Sequence, residues 1–87
     1  MDFRMIDAKN TLKTTLEQRL AGLEQEYLNN QTALIVQTAA IPDDRTALPE
    51  ETVEMDKFTS NMEIIEQAHT EVCAKIDALT AEIDAEA

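Results

Sequence analysis

Residues 55–83 read MDKFTSNMEIIEQAHTEVCAKIDALTAEI. Apolar residues, with one histidine among them, recur there at spacings of three and four without a break. This is the a/d heptad pattern of a helix that packs along another helix. The pattern is carried by Met55, Phe58, Met62, Ile65, His69, Val72, Ile76, Leu79 and Ile83. Pro49 precedes the stretch together with Glu50 and Glu51, and proline followed by acids is a favourable helix start. We therefore predict a helix from about Pro49 to Glu86.

The first half of the chain shows a second helical pattern with a different period. Two series of residues recur every 11 positions: Met1, Leu12, Leu23 and Leu34, and Met5, Leu16 and Tyr27. Together with Leu20 they form one apolar stripe. Such a repeat is typical of straighter or slightly right-handed helix pairs. Asn30 and Gln37 fall on the apolar line. We predict one helix over about residues 2–39. The alternative is two shorter helices split at residues 29–32, because asparagine is a weak helix former.

Two long helices and a connection over about residues 40–48 predict an all-α fold, an antiparallel two-helix hairpin with coiled-coil-like arms in a single domain of residues 1–87. Charge favours the antiparallel pairing, because it sets four bases beside the acidic stretch from Glu71 to Glu86: Arg4, Lys9, Lys13 and Arg19. A hairpin of this size has a thin core. We therefore expect it to complete a helical bundle by oligomerising, most simply as a homodimer, or by docking on a partner.

Composition excludes several classes of function. The net charge is -11, from 18 acidic and 7 basic residues, which disfavours binding to nucleic-acid phosphates and to anionic membranes. No apolar run approaches the roughly 20 residues that span a bilayer, and the N-terminal residues lack an apolar signal core. Cys73 is the single cysteine, so no intrachain disulfide forms. We expect a cytoplasmic protein that contacts neither membrane nor nucleic acid directly.

One short motif has the spacing of a metal site. Glu66 and His69 form the Glu-x-x-His of EQAH, which resembles the motif of ferritin-like di-iron proteins, where both side chains project from one helix face. That resemblance implies a further glutamate on a facing helix, and antiparallel pairing would place Glu24 near Glu66, so that a dimer could assemble two copies of each residue. We favour the simpler interpretation that His69 is a polar seam residue that fixes register.

Catalytic groups are not apparent elsewhere. Cys73 flanks the seam, and we interpret it as a partly buried filler without a histidine partner. The sequence contains no Gly-rich phosphate loop, Ser-His-Asp set or cysteine cluster. We expect a protein that is not an enzyme, with no cofactor and no metal.

An acidic stripe runs along the second helix at the heptad b position. Asp56, Glu63, Asp77 and Asp84 form it, on the outward face. The favoured interpretation is a solvated face that keeps the protein in solution. The alternative is an acidic inhibitor, in which the carboxylates imitate a phosphate backbone and occupy the basic groove of a nucleic-acid-binding protein.

The connection between the helices carries more apolar residues than a turn requires. Ile35, Val36, Ile41 and Leu48 lie in or beside it. In the favoured interpretation they form a cap, with Leu48 and Val53 covering Ile35 and Ile41. In the other, they form an exposed tip that docks on a protein. These four residues and the acidic stripe are the candidate partner-binding residues of a non-catalytic protein–protein interaction module, acting as a small structural subunit, adaptor or assembly chaperone.

Overall fold

The computed structural model of the chain describes the backbone from Phe3 to Glu86 and the side chains from Met5 onwards. It contains helix α1, Phe3–Ala39, and helix α2, Pro49–Glu86, which pack against each other in antiparallel orientation, and the described residues include no strand. The molecule is a rod of 69 × 15 × 14 Å. Its radius of gyration is 19.5 Å, against about 12 Å for a compact chain of this length. The predicted helical hairpin is confirmed. Neither described helix is long and apolar enough to cross a membrane.

The predicted seam of α2 is confirmed by burial. All nine of its residues are buried or half-buried, and Ile65 and Val72 are the deepest, with 8% and 5% of their surface exposed. Leu16 of α1, at 7%, is the remaining buried side chain of the described residues. Three buried side chains make a thin core, as expected when each helix covers only one stripe of the other.

The 11-residue period predicted for α1 is wrong toward its N-terminal end, although five residues of the predicted stripe are buried or half-buried: Leu16, Leu20, Leu23, Tyr27 and Leu34. Leu12 and Met5, which that period places on the stripe, are 49% and 50% exposed, and Met1 lies outside the described residues. Apart from Ala33, the less exposed residues follow one another at spacings of three and four instead: Ile6, Lys9, Lys13, Leu16, Leu20, Leu23, Tyr27, Asn30, Leu34 and Gln37. Because α2 presents a heptad seam, α1 must keep the same period to stay in contact with it. Four of these positions are polar, and lysine stems can lie on apolar surface while the ammonium group stays wet.

Helix α1 is continuous where a break was the alternative. Asn30 satisfies its own side chain inside the helix, because Nδ2 donates to the Glu26 backbone oxygen at 2.8 Å. Its Oδ1 accepts a hydrogen bond from Asn61 Nδ2 of α2 at 3.2 Å. The weak helix former is therefore held by one bond along the helix and one across the seam.

The open end of the hairpin is joined by charge, as predicted. Lys9 Nζ lies 2.6 Å from Glu86 Oε1 and 3.8 Å from Glu82 Oε2. The hydrogen bond to Glu86 is the main cause of a raised pKa for Lys9. Lys13 and Arg19 make no ion pair with the described residues, and the Arg4 side chain lies outside them.

The start of α2 is fixed by Glu51. Its Oε1 accepts hydrogen bonds from the Leu48 backbone N–H at 2.8 Å and from Arg45 Nη1 at 2.7 Å, while Oε2 accepts from Arg45 Nη2 at 3.2 Å. The guanidinium fork, and then the backbone donor, lower the pKa of Glu51 to about 2. Glu51 thus performs the glutamate half of a capping box behind Pro49.

Gly22 lies in the middle of α1, and no contact within the chain requires a glycine at that position. A Cβ placed there would meet no atom within 4 Å. Because glycine inside a helix costs about 0.5–1 kcal/mol relative to alanine, we expect Gly22→Ala to raise the free energy of unfolding by about that amount. Urea titration of dilute protein, followed by circular dichroism, measures it. The neighbouring control Ala21→Gly should lose a similar amount, and a less stable Gly22→Ala would contradict the expectation.

Candidate functional site

Two long flanks border the seam, one on each side. With the seam at heptad positions a and d, the e and b positions of both helices share one flank, and the g and c positions share the other, as in any antiparallel pair. Surface hollows confirm that both helices contribute to each flank. One hollow is lined by Leu23, Glu24, Tyr27, Leu28, Ile65, Glu66, His69 and Thr70, and another by Glu26, Asn30, Asn61, Ile64 and Ile65.

The e and b positions form what we call the acidic flank. Within the described helices these positions carry eight carboxylates and neither lysine nor arginine: Asp7, Glu17, Glu24, Asp56, Glu63, Glu66, Asp77 and Asp84. The four residues of the predicted stripe are all exposed, and none of them is ion-paired with a described residue. The predicted stripe included carboxylates of α2 only, and the sequence analysis did not assign those of α1 to this flank.

A polar network crosses the seam at the middle of the acidic flank, within a hollow of about 560 Å³. His69 Nε2 lies 3.2 Å from Glu24 Oε1. The Glu66 carboxylate beside the Tyr27 hydroxyl raises the pKa of Tyr27. In the first contact the carboxylate belongs to α1, and in the second it belongs to α2. A shift of one helix along the other would break both contacts, so together they favour this register of α1 on α2.

The metal motif is divided between these two contacts. Glu24 was expected near Glu66, but it pairs with His69, while Glu66 pairs with Tyr27. Among the described residues, no three His, Cys, Asp or Glu side chains are placed to hold a metal ion. The network thus joins the helices through polar contacts of its own, with His69 at a polar position of the seam.

Cys73 has a histidine neighbour that sequence reasoning missed. His69 Nδ1 lies 3.7 Å from Cys73 Sγ, and the spacing of four residues on one helix could have indicated it. With Glu24 on the other ring nitrogen, the three side chains follow the order nucleophile, base and orienting carboxylate. Cys73 lies well inside α2, where backbone N–H groups bond within the helix. The described backbone therefore leaves no N–H beside Sγ for an oxyanion.

Tyr27 offers a direct test of the network. It is the only tyrosine, and the chain has no tryptophan, so the near-ultraviolet absorbance change on ionisation reports one phenol. We expect Tyr27 to titrate above the ordinary tyrosine pKa, because ionisation would set a phenolate against the Glu66 carboxylate. Glu66→Gln should lower that midpoint, whereas Glu63→Gln on the same flank should not. An ordinary midpoint in the unmodified protein would show that the Glu66 carboxylate does not lie beside the Tyr27 hydroxyl.

The tip of the hairpin exposes most of its apolar residues. Of the four candidate residues, Ile35 and Val36 are 62% and 63% exposed, Leu48 is 48% exposed, and Ile41 is half-buried. The predicted cap is wrong for Ile35, because Ile35 stays 62% exposed and Val53, which was predicted to cover it, is itself 68% exposed. Ile35 lies on the acidic flank and Val36 on the other, because consecutive helical residues are about 100° apart. Their binding role stays a prediction.

The g and c positions form what we call the mixed flank. Its charged side chains are of both signs: Arg19, Lys57 and Lys75 with Glu26, Glu50, Glu54, Glu71 and Glu82. Ile64, 66% exposed, and several alanines lie between them. The two flanks therefore differ in kind, since one repels any acidic surface and the other can pair with a surface of mixed charge.

No protein-family model matches the chain, no curated protein matches its sequence, and no solved structure matches its fold.

Proposed function

We propose that this hairpin is a non-catalytic protein–protein interaction module that packs its long helical faces on another protein, including a second copy of itself. The observation that carries the proposal is the amount of apolar surface left uncovered. No described side chain is fully buried, and eight large hydrophobic ones are about half exposed or more: Met5, Leu12, Leu28, Ile35, Val36, Leu48, Val53 and Ile64. We place the module in the cytoplasm, where a free Cys73 thiol stays reduced.

The total accessible area, polar and apolar together, is also larger than that of a compact protein. The chain exposes 6341 Å², whereas a compact protein of 9.7 kDa exposes about 5,100 Å². The difference of about 1,200 Å² exceeds the roughly 800 Å² that each partner contributes to a standard interface. A rod of this kind has enough surface for a stable complex, and its interior is small. Both properties support a structural subunit, adaptor or assembly chaperone.

Site-specific photo-crosslinking in the cells that naturally make the protein tests the proposal. A photoreactive residue is placed at Ile35 on the tip, at Ile64 on the mixed flank, or at Gln18 on the outer face of α1, all exposed. We expect a discrete covalent adduct from Ile35, Ile64 or both, because a packed partner lies within reach of them. Gln18 is the matched control and should give none.

The result counts for the proposal whether the adduct contains another protein or a second copy of the chain. Absence of adducts at both test positions, with the folded protein present in the cell, would overturn it. Equal adducts at Gln18 would do the same, because they would indicate contact by collision.

The acidic flank supports a second candidate, an acidic inhibitor of a nucleic-acid-binding protein. Eight carboxylates along 69 Å amount to one per roughly 9 Å, whereas duplex DNA carries one charge per about 1.7 Å. The flank is therefore a dilute imitation of a phosphate backbone. It can steer a basic partner, but charge alone would not displace DNA, and this is why packing comes first.

Displacement from immobilised DNA tests this candidate. The DNA-binding proteins of the host are loaded on DNA resin and eluted at fixed salt with the hairpin or with its Glu63→Lys, Asp77→Lys, Asp84→Lys variant. We expect release of specific proteins by the unmodified hairpin only. Equal release by both, or by neither, would remove the candidate and leave the packing module untouched.

A further inference from the structure

We propose that a second copy of the chain packs on the mixed flank in antiparallel orientation, α1 on α1 and α2 on α2, with the two-fold axis at mid-rod near Gly22. The inference rests on the proposed function and names its partner. It leaves the acidic flanks of both copies facing outward, on opposite sides of a four-helix bundle.

Charge selects the flank. Two acidic flanks face to face would bring carboxylates together with no lysine or arginine between them, and like charges in an interface are strongly unfavourable. The mixed flank carries three bases among its acids, so the same surface can pair with itself. A two-fold interface requires such self-complementarity, because residue i meets residue j on both sides of the axis.

Charge also selects the orientation. If Arg19 pairs with Glu26 of the second copy, the axis passes between Gly22 and Leu23. If Lys57 pairs with Glu82 of the second copy, it passes between His69 and Thr70. Leu23, His69 and Thr70 line one hollow and are therefore level along the rod. A single axis thus satisfies both kinds of pair, four ion pairs in all.

The side chains are available for these pairs. Arg19, Glu26 and Lys57 are exposed and make no ion pair with the described residues. Glu82 touches Lys9 at 3.8 Å and its side chain remains 56% exposed. Exposed pairs add little affinity each, so their role is to choose among orientations, while the apolar surface between them supplies the attraction.

Gly22 lies where the two copies of α1 would cross. Nothing in its own chain occupies the space in front of it. Ala68 is on the same flank of α2, near the same level, and is also small. Small residues let helix backbones approach, and the rods can then cross at the angle of about 20° that four-helix bundles adopt.

Sedimentation equilibrium of the purified full chain over a concentration series tests the association. We expect a reversible dimer. Glu26→Arg on the mixed flank should weaken it about tenfold, because two attractive pairs become repulsive. Glu63→Arg makes the same charge change on the acidic flank and should not weaken it. The double variant Arg19→Glu, Glu26→Arg exchanges the signs and should restore dimerisation.

Oxidative cross-linking tests the orientation, on a Cys73→Ser background. Gly22→Cys should form a disulfide-linked dimer, because the axis brings the two copies of this position together. Val36→Cys should not, since antiparallel rods separate those positions by about 40 Å. A dimer that cross-links through Val36→Cys, or that forms no disulfide through Gly22→Cys, overturns the orientation.

A chain that stays monomeric, or a dimer weakened equally by Glu63→Arg, overturns the inference altogether. The proposed function is judged separately, because photo-crosslinked adducts to a different protein would support it while the purified chain remained monomeric.

Discussion

Replacing Ile65 with alanine is expected to lower the free energy of unfolding by about 2–4 kcal/mol. Ile65 is 8% exposed and is one of the three buried side chains of the described residues. The truncation removes apolar contact and leaves a gap that two straight helices cannot easily close. For a chain of this length total stability is on the order of 4–13 kcal/mol, and a thin core places it toward the low end. Denaturant unfolding should show a large loss.

Ile35→Ala is the matched control. It deletes the same atoms from a side chain that is 62% exposed, so we expect a change within about 0.5 kcal/mol. Both variants are best measured at concentrations where association is negligible. Equal losses for the two would mean that α2 does not pack in the described register.

Replacing Asn30 with leucine is expected to raise the free energy of unfolding by about 1–2 kcal/mol. Asn30 occupies a d position of the seam, and its hydrogen bond to Asn61 is only partly buried. A leucine there would add apolar area to the helix contact, while Asn61, half-buried, can bond to water instead. Thermal and urea unfolding of the dilute variant measure the gain.

The same change should loosen the choice of register, because a polar pair in a seam excludes alternative pairings. Gln31→Leu, on the next residue and exposed, should leave stability nearly unchanged. A loss of stability in Asn30→Leu would show that the asparagine pair contributes more than apolar packing at that position.

The two helices were not equally legible in the sequence. In α2 nearly every seam position is apolar, so the heptad could be recognised directly and burial confirms it. In α1 four of the ten seam positions are Lys9, Lys13, Asn30 and Gln37, whereas Leu12 is half exposed. Hydrophobicity alone therefore pointed to the wrong period. Only the facing helix, which requires an equal repeat, identifies the true one.

That error also limited what could be predicted of the surface. Two residues on one helix, such as His69 and Cys73, can be related by spacing alone. A contact between helices, such as Glu24 with His69, needs both phases and the register to be right. The antiparallel orientation could be predicted from charge, but the gathering of eight carboxylates on one flank could not, because three of the eight lie on α1, whose seam was assigned the wrong period.

The contacts between the two arms span very different lengths of chain. Near the loop, Thr38 meets Met55 across 17 residues, while at the open end Lys9 meets Glu86 across 77. Closing a loop costs more entropy as it lengthens, so association that starts at the loop and proceeds outwards orders the least chain before each new contact forms. Association of the two helices is therefore expected to start beside the Arg45–Glu51 ion pair and to proceed toward the open end of the rod. The backbone amides of the rod should exchange with solvent soonest at the open end, where the Lys9–Glu86 ion pair is the last contact to form.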